Sequence, residues 1–130
     1  MSNKKSDEEW KKILSDELFY VARQKGTQPP FAGKYTDVFD DGTYVCACCD
    51  EPLFSSDTKF PTHCGWPSFA KPISQKSVSE HIDNSLGTQR TEIVCSSCDA
   101  HLGHVFDDGP QEMGGLRYCI NSISLKLIKK

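Results

Sequence analysis

The chain has 130 residues, 37% of them apolar, with 15 Lys and Arg against 18 Asp and Glu and a formal charge of -3. That size suits a single domain over residues 1–130 with an ordinary core, and a second independent domain is not expected. No run of like charges reads as a nucleic-acid arm, and no apolar stretch reaches the ~20 residues of a membrane span or forms a signal peptide. Nucleic acid and membrane are therefore not expected as partners, and a soluble, cytoplasmic monomer is.

Ser6-Asp7-Glu8-Glu9 has the S-x-x-E form of a capping box, with Trp10, Ile13 and Leu14 following at helical spacing. A short helix is predicted there, in an amino-terminal extension spanning residues 1–14. Ser15-Asp16 caps a second helix that carries Leu18, Val21 and Ala22 on one side and is stopped by Gly26. Beyond Gly26, Pro29-Pro30, Gly33, Asp40-Asp41-Gly42, Pro52, Pro61, Gly65, Pro67 and Pro72 recur so often that only short strands fit between them. Strands are predicted at residues 43–46, 78–82, 90–95 and 117–128, the last the longest and most regular. Asp107-Asp108-Gly109-Pro110 and Met113-Gly114-Gly115 mark the loop before it.

Seven cysteines are many for this length. Val45-Cys46-x-x-Cys49-Asp50-x-x-Leu53 and Val94-Cys95-x-x-Cys98-Asp99-x-x-Leu102 form the chain's one internal repeat. An odd cysteine count argues against a fully paired disulfide framework, whereas two C-x-x-C turns together offer the tetrahedral sulfur cage that Zn2+ prefers. With all four positions filled by Cys46, Cys49, Cys95 and Cys98, the metal would be structural, joining distant parts of the chain. Buried reduced cysteines, or a redox-active C-x-x-C, are the other readings. Cys48 offers an alternative pair within the first turn, but the repeat favours Cys46 and Cys49 as ligands.

Cys48, Cys64 and Cys119 remain outside that pattern. In a strand, Arg117, Cys119 and Asn121 share a face, continued by Ile123, Leu125 and Leu127. A cation beside a thiol favours the nucleophilic thiolate, so Cys119 reads as reactive; a small buried cysteine is the other reading. His101-Leu102-Gly103-His104 leads through Val105-Phe106 toward this strand and brings two imidazoles able to move protons near neutral pH, or else surface or metal-bound histidines. His63-Cys64-Gly65-Trp66-Pro67-Ser68-Phe69 makes a bent loop that could present Cys64 and Trp66 together, although Trp66 and Phe69 also suit a loop anchored in the core.

Cys64-Gly65-Trp66-Pro67-Ser68-Phe69, His101-Leu102-Gly103-His104-Val105-Phe106 and Arg117-Tyr118-Cys119-Ile120-Asn121-Ser122 together resemble one family, the B-type methionine sulfoxide reductases. Gly26-Thr27-Gln28-Pro29-Pro30-Phe31, Pro52-Leu53-Phe54 and the paired cysteine motifs extend the resemblance from about residue 15 onward. It implies a mainly β fold, two antiparallel sheets with short amino-terminal helices and a structural zinc site of four cysteines. It also implies reduction of the R epimer of methionine sulfoxide in peptides and proteins. By similarity Cys119 is the nucleophile and Cys64 the resolving thiol, with thioredoxin as reductant. The resemblance also has His101 and His104 place and protonate the sulfoxide oxygen, Asn121 hydrogen-bond within the site, Arg117 support the thiolate, and Trp66 and Phe106 wall the substrate methyl group. A zinc-ribbon interaction module, with Cys119 inert, and a zinc hydrolase or deaminase, with a histidine completing a catalytic site, are the competing classes. The first lacks the interleaved basic and aromatic residues of a nucleic-acid surface, and the second lacks the deaminase H-x-E element.

Overall fold

Among the described residues, Ser15 starts the longer of two short α-helices by accepting a hydrogen bond from the Leu18 N–H at 3.2 Å. The computed structural model describes residues 7–24, 26, 41–60, 65–84 and 89–129. Helix α1 is Asp7–Ile13 and α2 is Asp16–Gln24. The capping residue Ser6 and the 27–31 segment lie outside the described residues, as do His63 and Cys64. The Gly26 N–H closes α2 by donating to the Tyr20 C=O at 2.9 Å. Trp10, Val21 and Ala22 are buried, so both helices lay an apolar side on the body of the protein.

Among the described residues eight strands follow: β1 Gly42–Cys46, β2 Pro52–Ser55, β3 Ser68–Phe69, β4 Val78–Asp83, β5 Arg90–Cys95, β6 His101–Phe106, β7 Arg117–Ile120 and β8 Leu125–Lys129. They form two sheets, a three-stranded one ordered β2-β1-β8 and a five-stranded one ordered β3-β7-β6-β5-β4. Every pairing is antiparallel. The mainly β, two-sheet expectation is met, and three of the predicted strands stand nearly where they were expected.

Tyr44 and Phe54 of the small sheet meet Phe69 and Tyr118 of the large one. Phe54 stacks on Phe69 with centroids 4.5 Å apart, while Tyr44 meets Phe69 and Phe54 meets Tyr118 edge-on at 5.1 and 5.9 Å. Phe54, Phe69 and Tyr44 are completely buried. Offset and edge-to-face rings of this kind add roughly 0.5–1.5 kcal/mol per pair beyond their area, so this cluster holds the sheets together.

Residues 117–128 are not one strand. β7 belongs to the large sheet and β8 to the small one, with a 3-10 turn at Ser122–Ser124 between them. Hydrogen bonding breaks the run. The Asn121 N–H donates to the Leu102 C=O at 2.8 Å and its side-chain Nδ2 donates to the same oxygen at 3.0 Å. The Ser124 N–H then donates to the Asn121 C=O at 3.0 Å, and Ser124 Oγ to the His101 C=O at 3.3 Å. These bonds curl the chain against β6 before it can extend, so Ile123, Leu125 and Leu127 do not continue the face of Arg117 and Cys119.

Candidate active site

Side chains alternate along a strand, so Tyr118 pointing at the small sheet sends Arg117 and Cys119 to the opposite, outer face of the large sheet. On that face Cys119 stands between Ser68 of β3 and His104 of β6, and the same cross-strand row continues through Glu92 of β5 to His81 of β4. A neighbouring row pairs Arg117 with Phe106 and Arg90 with Asp83.

His101 and His104 are three residues apart and would point to opposite faces of a regular strand. The β5–β6 register shifts between Ile93, which pairs with Gly103, and Val94, which pairs with His101. Leu102 is thus an extra residue on β6, and this bulge returns both imidazoles to one side. Their rings meet edge-to-face with centroids 5.5 Å apart.

A cleft of about 170 Å³ opens over this face. Its wall includes half-buried Cys119, together with His104, Asn121 and Arg117. Trp66 and Phe106 supply its aromatic surface, and Arg90 and the backbone of Gly103 complete it. Tight strand contact explains Gly103, because a Cβ there would fall 2.0 Å from the Cys119 carbonyl oxygen. Of the described residues expected at the site, His101 stands outside the cleft. It lines a separate hollow with Arg23, Glu92 and Asp99 and reaches the cleft through its contact with His104.

Charged residues that the motifs did not single out hold these side chains. Asp83 Oδ2 accepts from His104 Nε2 at 2.8 Å and from Arg90 Nη2 at 3.3 Å. Glu92, 2% exposed, accepts from His101 Nδ1 at 2.6 Å. Asp108 takes a forked pair of bonds from Arg117, Nε at 2.8 Å and Nη2 at 3.2 Å, and the guanidinium lies 4.6 Å from the centre of the Phe106 ring. That hydrogen bonding holds the Asp108 carboxyl below the ordinary aspartate range. The one signal available in sequence was the placement of Arg90 and Glu92 on alternate positions of a strand that continues through apolar Ile93 and Val94.

The two cysteine turns meet about one point. Cys46 Sγ lies 3.7 Å from Cys98 Sγ and Cys49 Sγ 3.6 Å from Cys95 Sγ, and the four sulfurs lie within 4.8 Å of one another. Both turns are built alike. The N–H of Asp50 donates to the Cys46 C=O and that of Asp99 to the Cys95 C=O, each at 2.8 Å. Asp50 and Asp99 have φ of 65° and 62°. Aspartate tolerates this left-handed conformation better than most residues, which accounts for its recurrence after each cysteine pair. Hydrogen bonding from Cys48, then from the three other thiols, pushes the Cys46 thiol far up from its usual range. A cation among the sulfurs would remove that cost, so the four can hold a metal ion. Cys48 is half-buried beside them.

A family model described as the SelR domain matches residues 14–129. The chain is 57% identical over 123 residues to the peptide methionine sulfoxide reductase MsrB of Hahella chejuensis, covering 95% of this chain and 88% of that one. It is equally identical over 126 residues to MsrB of Pseudomonas syringae pv. syringae, covering 97% and 95%. Among solved structures, the Mis18 Yippee-like domain superposes with a TM-score of 0.55 at 15% identity, over 70% of this chain and 98% of that domain, a likeness of fold alone.

Proposed function

The chain belongs to the SelR-domain family and is an oxidoreductase of the MsrB type, and we propose that it reduces the R epimer of methionine sulfoxide in peptides and proteins through Cys119. The observation that carries the assignment of roles is the cleft in which Cys119, opposite His104 in the β6–β7 register, shares a small pocket with Trp66 and Phe106. A thiol open to a cleft, a proton-carrying imidazole and an aromatic wall are what sulfoxide reduction needs.

The Cys119 thiolate attacks the sulfoxide sulfur while His104 supplies a proton to the oxygen. Net, thiol and sulfoxide become a sulfenic acid on Cys119 and a thioether on the substrate. Asn121 is pinned by its bond to the Leu102 carbonyl at the cleft wall, where its amide supports the polar end of the substrate. Arg117, fixed by Asp108, keeps positive charge beside the sulfur and favours its ionised form. His101 backs His104 and is the second imidazole of the site. Cys64, which lies outside the described residues, is the resolving thiol. It condenses with the sulfenic acid, releasing water and forming a disulfide that thioredoxin reduces by exchange.

Zinc is the metal we assign to Cys46, Cys49, Cys95 and Cys98. A tetrahedron of sulfurs about 2.3 Å from zinc has edges of roughly 3.8 Å, close to the 3.7 Å between Cys46 and Cys98 and the 3.6 Å between Cys49 and Cys95. With four protein ligands the ion serves as a structural cross-link. The protein acts in the cytoplasm as a monomer in this reading; among the described residues no helix is long and apolar enough to cross a membrane.

Separated R and S epimers of a blocked methionine sulfoxide, supplied with dithiothreitol, test the reading. The wild type is expected to consume the R epimer alone, and Cys119→Ser neither. With thioredoxin in place of dithiothreitol, Cys64→Ser is expected to stop after one turnover. A zinc-loaded, folded wild type that leaves both epimers untouched would sink the assignment.

A further inference from the structure

Asp83 is far from Cys119 in the sheet. It ends β4, an edge strand, and β5 lies between it and the His104 strand. Its side chain is nevertheless only 12% exposed, because it leans diagonally across the outer face. There Oδ2 accepts from His104 Nε2 at 2.8 Å. Arg90, Asp83's partner in the β4–β5 register, donates to the same oxygen at 3.3 Å. An ionised carboxylate only accepts, so the nitrogen facing it carries a proton. Nδ1 is then the nitrogen that His104 has left for the cleft it shares with Cys119.

We propose that Asp83 is a positioning residue for the reduction: it holds the Nε2–H of His104 and so presents Nδ1 to the sulfoxide oxygen. This rests on the reductase reading above and adds to it the origin of the histidine's orientation. Asp83 is not among the residues lining the cleft, and it acts on the reaction through His104. Arg90 keeps the carboxylate in place from its other side. Glu92 does not duplicate this role, because it engages His101, the ring outside the cleft. The proton balance is simple. Cys119 gives its proton to His104 Nδ1, and the thiolate then attacks sulfur as Nδ1 returns the proton to oxygen. Nε2–H stays on Asp83 throughout, and the products are the sulfenic acid and the thioether.

The test uses Asp83→Asn, Asp83→Ala and Asp83→Glu in the full chain. For Asn and Ala, kcat on the R epimer is expected to fall roughly 100-fold or more, the scale of a misplaced general acid, with KM changed less than about threefold. Asp83→Glu is expected to recover part of that loss. Two readouts separate this from misfolding. The near-ultraviolet circular dichroism spectrum is expected to keep its wild-type form. The 15N imidazole resonances of His104, recorded in a Cys119→Ser background, are expected to show the Nε2–H form with Asp83 and a tautomer mixture in Asp83→Ala. Unchanged kcat in the Asn and Ala variants, or a His104 that keeps its Nε2–H form without Asp83, would overturn the proposal. A wild type inert toward both epimers would defeat the reductase reading instead, and the imidazole spectra would still decide whether Asp83 sets the proton.

Discussion

Trp66 sits half-buried on the wall of the cleft it shares with Cys119. Sulfur against an aromatic ring is worth roughly 0.3–1.5 kcal/mol, which corresponds to about two- to tenfold in affinity. Trp66→Ala is accordingly expected to raise KM for the R epimer by that factor while leaving the rate of Cys119 alkylation unchanged; steady-state kinetics and a labelling time course check both. Arg117 carries a different lesson. Beside a cysteine it reads as a free cation, yet its guanidinium is clamped between Asp108 and the Phe106 ring. Because the Asp108 carboxyl is depressed below its ordinary value of ~3.9, the pair is complete above that pH and is lost only as pH falls through the lower, folded value. Across the physiological range the guanidinium stays pinned.

At the scale of the element, the bulge on β6 decides the site. One extra residue, Leu102, turns a strand that would split its histidines between faces into one that gathers them. Gly103 follows directly and lets β6 and β7 approach at Cys119. A methyl group there would meet the β7 backbone, the Cys119 carbonyl oxygen at 2.0 Å and the Ile120 Cα at 3.0 Å. Gly103→Ala is expected to cost about 1–3 kcal/mol, as overpacking does, and to lower activity by displacing Cys119 from His104. Urea unfolding and R-epimer turnover, measured on the same preparation, check the two effects. The 3-10 turn at Ser122–Ser124 matters equally, since it moves the chain from the site-bearing sheet to the small one within a few residues.

For the whole molecule, the sheets are held at two places. One is the aromatic cluster of Tyr44, Phe54, Phe69 and Tyr118. The other is the cysteine centre, where one turn follows β1 of the small sheet and the other follows β5 of the large sheet. A metal bound there ties the sheets across residues 50–94, and closing so long a loop removes much freedom from the unfolded chain. Stripping the metal with a strong chelator is therefore expected to unfold the protein, not merely to silence a folded one. Circular dichroism read alongside metal release checks this, and retention of the native spectrum by metal-free protein would argue against a structural role.

The cysteine centre and the mainly β class were legible in the chain from local pattern, and most of the cleft residues from the motifs that carry the family resemblance. Two C-x-x-C-D turns, a Gly-Trp-Pro bend and an alternating Arg-x-Cys-x-Asn carry their chemistry within a few residues. Strands 43–46, 78–82 and 90–95 were legible for the same reason, being bounded by turn residues. The exit from β7 was not. Residues 117–128 satisfy strand alternation throughout, and the bonds from Asn121 and Ser124 to β6 that end the strand exist only once β6 lies alongside. Nor does spacing reveal that His101 lies beside the cleft while His104 lines it, that a bulge aligns them, or that Asp83, Glu92 and Asp108 each hold a cation or imidazole of the site. Those are contacts between strands distant in sequence, made by charged residues that would look like ordinary surface until the sheet assembles around them.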